Sequence, residues 1–330
     1  MLGERWQGIT KRLQCALRNK VPLMSAEPHD QTDLKLVPLA YKLGSKMPLW
    51  LLHRCADLVW PLLFYLIRYR RKVVDQNLHI AFPDMSHTQR KVLARKFYRG
   101  FVDTAVETIK ALDMPAREFT RRVTMIDGHI LTNAMQNRTQ PVIVTTLHMG
   151  NWEWMLHAVA LHFNTIIDPV YKPLHSEKSE RFIQALRDRF GGKSLKMADT
   201  ARNVMRQRKR FRLVSMVADQ APSGAERAHW IPLFGRVTGF YTGAETLARA
   251  TNIPLVFAYC RRVRRGYYEV TFRELAPQPV ERKAEGTPIT ETYRDLVEEA
   301  VRTQPEDWLW SNRRFKRQPP PECNLSHSAL

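Results

Sequence analysis

Residues Val142 to Glu153 read V-I-V-T-T-L-H-M-G-N-W-E: a β-branched apolar run, then a histidine, a glycine two residues on, and a glutamate five residues on. A short apolar run of this kind reads as a buried strand. Strand ends in α/β sheets are where ligands sit. Gly150 permits a sharp turn directly after the histidine. One segment therefore constrains the sheet, the turn out of it and the place where chemistry would occur.

The rest of the chain alternates in the same sense. Val92, Phe97, Phe101, Ala105 and Ile109 recur at helical spacing between Thr88 and Leu112, and Pro115 lies just beyond as a stop. Strands are expected over 142–147, 164–171, 211–217, 254–260 and 267–273, the last two as a hairpin across 261–266. Helices are expected over 151–162, 179–190, 198–207, 242–250 and 290–303. This alternation predicts an α/β fold, a mixed and mostly parallel sheet flanked by helices.

The N-terminal part differs. Leu34 to Arg68 is rich in apolar residues, most densely in L-V-W-P-L-L-F-Y-L-I, Leu58 to Ile67. His53, Arg54 and Asp57 interrupt it, and a full span needs roughly twenty apolar residues. The stretch therefore reads as a marginal transmembrane or deep interfacial helix, with a buried hairpin as the alternative. Arg68-Tyr69-Arg70-Arg71-Lys72 closes it with an aromatic and positive charge, as at a cytoplasmic membrane face. Trp6, Ile9, Leu13 and Leu17 share one face of a basic helix suited either to a membrane surface or to packing on its own domain. The organisation expected is a basic extension and linker over 1–35, a membrane-associated helical anchor over 36–72, a catalytic domain over 73–317 and a disordered tail over 318–330.

The chain carries 52 Lys+Arg against 32 Asp+Glu, a net charge of +20, so its partners are expected to be anionic: acidic protein, lipid head groups or nucleic acid. Cys15, Cys55, Cys260 and Cys323 are far apart and form no CxxC pair, which argues against a disulfide framework or a zinc site. His157 and His162 do not share a helix face, so no metal and no cofactor is expected.

The candidate chemistry centres on His148. An imidazole held by a carboxylate is a general base near neutral pH. On one continuous helix His148 and Glu153 would lie about 140° apart. A turn at Gly150 or Asn151 would let them meet, and the N–H groups of the new helix would then point at the same spot. The chain has no G-x-S-x-G elbow and no plausible Cys–His pair, so no side chain is evident that would form a covalent intermediate.

L-H-M-G-N-W-E resembles the H-x4-[D/E] motif of the lysophospholipid acyltransferase superfamily, and more narrowly that of the lipid A late acyltransferases. Other blocks follow in order: V-V-D-Q-N-L-H-I-A-F-P from Val73 to Pro83, Arg187 with Gly191, Val217-Ala218-Asp219-Gln220, Leu233-Phe234-Gly235, and P-E-D-W-L-W-S-N-R-R-F-K from Pro305 to Lys316. The resemblance runs from about residue 40 to 317, and six blocks in sequence are specific. Asn312 stands where the family usually has histidine. Glu285-Gly286-Thr287 looks like the E-G-T of glycerophospholipid acyltransferases but lacks the following arginine, which favours a lipid A-type acceptor.

The resemblance implies an O-acyltransferase. His148 would be the base and Glu153 would hold its tautomer. Asn151 would shape the turn and belong to the substrate site. Arg187 would contact substrate phosphate or the oxyanion, and Asp219 and Gln220 would line the acceptor site. The implied donor is an acyl thioester on acyl carrier protein or coenzyme A. The implied acceptor is a phosphorylated glycolipid, at the cytoplasmic face of the inner membrane, with no role for nucleic acid. A lysophospholipid or aminolipid acceptor is the alternative within enzymes. A non-catalytic basic protein binding membrane or nucleic acid is the alternative outside them.

Overall fold

The computed structural model of the chain describes residues 37–174, 176–222, 224 and 228–320. The N-terminal amphipathic pattern and nearly all of the C-terminal tail lie outside these residues. In chain order the helices are α1 (Leu39–Lys46), α2 (Leu49–Pro61, continued by a π-helical turn Leu62–Leu66), α3 (Arg71–Ala81) and α4 (His87–Ala111). Next come α5 (Ala116–Arg122), α6 (His129–Ala134), α7 (Trp152–His162) and α8 (Glu177–Arg187). Last are α9 (Met197–Arg206), α10 (Gly243–Thr251) and α11 (Pro288–Thr303). The strands are β1 (Val123–Ile126), β2 (Val142–Thr146), β3 (Ile167–Tyr171), β4 (Leu195–Lys196) and β5 (Leu213–Val217), followed by β6 (Ala228–Leu233), β7 (Arg236–Tyr241), β8 (Leu255–Arg264) and β9 (Tyr267–Ala276).

Seven strands form one sheet in the order β1-β9-β8-β2-β5-β3-β4, and β6 and β7 form a separate hairpin. The strands from β8 to β4 are mutually parallel, whereas β9 runs antiparallel to β8 and β1 parallel to β9. This is the mixed, mostly parallel sheet the sequence predicts. β2 lies at its centre and every residue of it is buried, because helices cover both faces. Ile143 belongs to the apolar cluster on one side of the sheet, and Val142 and Val144 to the cluster on the other.

The expected hairpin exists with longer strands and a tighter turn at Arg265-Gly266, where Gly266 takes φ +72°. The segments that form α3, α5, α6, β1, β4 and the β6–β7 hairpin were not assigned from the sequence. β1 and β4 have four and two residues and no repeating pattern to detect. The buried face of α4 also differs from the expected one. It runs through Leu93, Phe97, Thr104, Glu107 and Ala111, while Val92 is exposed. A capping box between Ser86 and Gln89 starts this helix.

α2 packs on α4 through polar contacts. His53 Nε2 lies 2.9 Å from Glu107 Oε1. Arg265, at the β8–β9 turn, reaches Asp57 at 3.0 Å and Asp103 at 2.5 Å, and Arg262 reaches Asp103 at 3.0 Å. The basic cluster 261–265 thus docks two helices onto the sheet, in addition to forming its turn. Arg212 is buried against Asp168 at 2.6 Å and is likewise structural. Among the described residues, Leu49–Leu66 is the stretch long and apolar enough to cross a membrane.

Candidate active site

β2 and β5 are paired in register, Thr146 opposite Val217, and the Ala218 N–H donates to the Thr146 carbonyl at 3.2 Å. Two residues beyond that register lie His148 and Asp219. They meet because their strands are neighbours, at the carboxyl ends where ligand sites form. His148 Nδ1 is 2.7 Å from Asp219 Oδ1, and the His148 backbone N–H donates to Oδ2 at 3.1 Å. Trp308 Nε1–H donates to the same Oδ2 at 2.7 Å. Burial pushes the Asp219 carboxyl up, but the imidazole, the indole and the backbone donor outweigh it and hold it below its ordinary value. The histidine side chain keeps 18% of its surface open and the aspartate 3%. A buried carboxylate therefore orients a reachable imidazole.

The expectation that Glu153 plays this part is corrected. α7 begins at Trp152, with Asn151 as its N-cap, and Glu153 in its first turn faces α8. There it takes the Arg187 guanidinium at 3.0 and 2.5 Å. The ion pair holds Arg187 above its ordinary value although burial opposes its charge. The indole of Trp152 links the two clusters: its ring sits edge-on to His148 at 5.2 Å, and its Nε1–H donates to Glu153 Oε1 at 3.1 Å.

Asn151 is corrected as well. It is fully buried, its Oδ1 accepting from Trp154 N at 2.9 Å and its Nδ2–H donating to Glu107 Oε2 at 2.9 Å. It caps the helix, and with both amide atoms engaged and no exposed surface it serves the turn. Asp219 is too buried to line an acceptor site. Gln220 does lie at the imidazole, its Nε2 3.3 Å from His148 Nε2. Arg187 borders a cavity of about 210 Å³ walled by Tyr171, Leu174, Ile183, Gln184 and Ser194 among others.

The turn itself is tightly held. Gly150 has φ +60°, and a Cβ there would come within 2.5 Å of the Cys260 carbonyl oxygen on β8. Its N–H donates to the Asp307 carbonyl at 2.9 Å, and its own carbonyl accepts from Thr104 Oγ1 at 3.2 Å. The amides of His148, Met149, Gly150 and Trp154 are all taken by protein acceptors. The expected convergence of helix N–H groups on the base is reduced accordingly. Gly150→Ala is expected to destabilise the fold by at least about 2 kcal/mol, through left-handed strain plus the clash with Cys260. Urea unfolding would measure it, and a loss under 0.5 kcal/mol, the usual scale of a neutral surface change, would contradict the close approach.

Two contributors escaped the sequence reading. Trp308 lies in the Pro305–Lys316 block, whose chain also pairs with the turn: Met149 bridges to Trp308, and Leu309 N–H donates to the His148 carbonyl at 3.0 Å. That block is anchored in turn by Asn77, whose Nδ2–H donates to the Trp310 and Asn312 carbonyls at 2.8 and 2.7 Å. Asn312 serves there through its backbone. Glu107 is the other. It is fully buried, bonded to His53, Asn151 and the Tyr268 hydroxyl. Its signal was present, since Leu93, Phe97, Gly100, Thr104, Glu107 and Ala111 recur every three or four residues. An acid and a threonine within an apolar stripe mark a buried polar contact.

Four of the segments quoted for the resemblance thus meet at or behind one imidazole: its own turn, Asp219-Gln220, Trp308 and, through Trp310, Asn77. A family model for bacterial lipid A biosynthesis acyltransferases matches residues 35–317. The chain belongs to this family. It is 23% identical over 256 residues to the lipid A biosynthesis lauroyltransferase of Escherichia coli (strain K12), across 77% of this chain and 81% of that relative. It is an acyltransferase of lipid A synthesis, which requires a lipid acceptor and an acyl donor. An exposed apolar helix, α2, is consistent with the membrane association of such enzymes.

Proposed function

We propose that the enzyme moves a fatty acyl chain from a thioester to a hydroxyl of a lipid A precursor, with His148 as general base. The observation that carries this is the 2.7 Å contact between His148 Nδ1 and the buried Asp219 carboxylate. Asp219 accepts from Nδ1–H, which fixes the tautomer with Nε2 as the acceptor. Nε2 takes the proton of the acceptor hydroxyl, and the alkoxide oxygen attacks the thioester carbonyl carbon. The tetrahedral intermediate then breaks its C–S bond, and the imidazolium returns the proton to the departing thiolate. No acyl-enzyme is formed. Gln220, beside Nε2, is placed to hydrogen-bond the incoming hydroxyl.

Glu153 and Arg187 act as a unit at the edge of this site. Nε and one terminal nitrogen of Arg187 are held by Glu153, and the guanidinium also borders the neighbouring cavity. A planar guanidinium fixed in this way suits an acceptor phosphate. The +20 charge favours an acidic carrier protein as donor. Residues 36–72 are the membrane-associated unit and 73–317 the catalytic domain, set at the cytoplasmic face of the inner membrane.

The test is thioester release by purified protein with a lipid A precursor, comparing acyl carrier protein with coenzyme A as carrier. His148→Ala is expected to abolish release while the chain stays folded. A folded His148→Ala protein that turns over like wild type refutes the mechanism. Lipids of a deletion strain are expected to include a lipid A lacking one acyl chain. A missing chain on phospholipid or aminolipid instead would favour those acceptors.

A further inference from the structure

α2 and the turn after it present an apolar stripe to solvent: Trp50, Leu58, Leu62 and Leu66 are exposed, and Leu39 and Leu43 extend the stripe over α1. The opposite face of α2 is covered from end to end by α4, which runs antiparallel to it. His53 meets Glu107 at 2.9 Å, Asp57 lies 3.9 Å from Arg99, and Phe64 sits edge-on to Tyr98 at 5.3 Å. Over that same stretch α4 turns charge outward. The side chains of Lys96 and Arg99 are 62% and 58% exposed. Arg54, within α2 itself, is 77% exposed and lies on the stripe, one turn from both Trp50 and Leu58; at an interface its long side chain can reach the head groups, whereas at the centre of a bilayer it cannot.

A bilayer-spanning α2 would have to take α4 with it. Exposed cations of both helices would then sit at hydrocarbon depth, where charged side chains belong only in a protein interior or a watery cavity. The length and hydropathy of Leu49–Leu66 meet the requirement for a span, whereas the exposed cations on and beside it argue against one. We propose that α1 and α2 lie in the plane of a single anionic leaflet, stripe inward, so that the enzyme is monotopic. The flanking cations fit such a surface: Lys46, Arg68 and Lys72 are exposed at the two ends of the helix, on a chain of net charge +20. α4, which backs this pair, also holds the His148 turn through Thr104 and Gly150. The helices seated on the leaflet and the catalytic turn are thus fixed to one support.

This inference rests on the membrane association proposed above and adds its geometry. The test uses the full chain with Cys15, Cys55 and Cys323 changed to serine and buried Cys260 retained. Lys46→Cys and Lys72→Cys are introduced separately, and membrane vesicles of each sidedness are treated with an impermeant maleimide. Both positions are expected to label from the same face. Labelling from opposite faces would establish a span and overturn the inference, leaving membrane association intact. A complementary measurement is flotation with phosphatidylcholine vesicles with and without phosphatidylglycerol. Binding is expected to need the anionic lipid, to fall at high salt, and to drop at least about tenfold in Leu58→Glu, because the stripe would carry a charge into the apolar layer. A chain that floats with neither vesicle, or instead self-associates through the stripe, overturns the inference and the membrane reading together.

Discussion

Asp219→Asn is expected to lower kcat for acyl transfer by about 10²–10⁴-fold, the range of a positioned general base, with the fold retained. The amide can still accept from Trp308, so packing changes little. It cannot stabilise the imidazolium, and it can present an N–H to Nδ1, which would favour the wrong tautomer of His148. Glu153→Gln separates the two carboxylates. Its partner is Arg187, at 2.5 Å, so its loss is expected mainly in KM for the acceptor. Asp219→Asn is expected to lose kcat with KM for the acceptor little changed, while Glu153→Gln shows the opposite split. The reverse outcome would make Glu153 the carboxylate that orients His148 after all. Stability offers an independent check. The Asp219 carboxyl is held below its ordinary value of 3.8, so its contribution is complete above that value and is lost as pH falls through the folded value. The acid unfolding of Asp219→Asn is accordingly expected to be shallower below about pH 4.

The distance between what the sequence specifies and what it hides is visible in this pair of carboxylates. β2 was legible because five successive apolar or β-branched residues bounded by a glycine turn have few other uses. The turn at Gly150 was legible for the same local reason. Which acid reaches His148 depends on which strand lies beside β2. That strand is β5, with two other strands and three helices between them in the chain. No periodicity encodes this adjacency, so spacing pointed to the acid nearest in sequence. The resemblance placed Asp219 in the site without its partner, because a motif orders residues along the chain and leaves their pairing open. Trp308 shows the same limit, being in a quoted block yet joined to Asp219 across 89 residues. Two arginines are hidden in the same way. Arg212 and Arg262 look like surface charge in the sequence, yet both are withdrawn against aspartates.

Glu107→Ala is expected to cost about 3–5 kcal/mol of stability, the scale for breaking a buried, bonded charge pair, and to lower Tm by on the order of 10 °C. The carboxylate accepts from Asn151 and Tyr268, lies against His53, and offsets the charge of Arg262. Burial pushes its pKa up, but these partners outweigh burial and hold it down. Without it an amide and a phenol are left buried with fewer acceptors, and the Arg262 guanidinium loses a neighbouring negative charge. Glu107→Gln keeps one acceptor oxygen and is expected to lose about 1–3 kcal/mol. Activity carries a second signature. Asn151 caps the helix that follows His148, and Glu107 is what holds Asn151, so kcat is expected to fall in the folded fraction too. His53 joins the same carboxylate from α2, so that helix and the His148 turn share one buried anchor. Urea unfolding with activity read per folded molecule measures both effects. A Glu107→Ala protein within about 1 kcal/mol of wild type, a typical single-substitution cost, with unchanged kcat would show that this anchor holds neither.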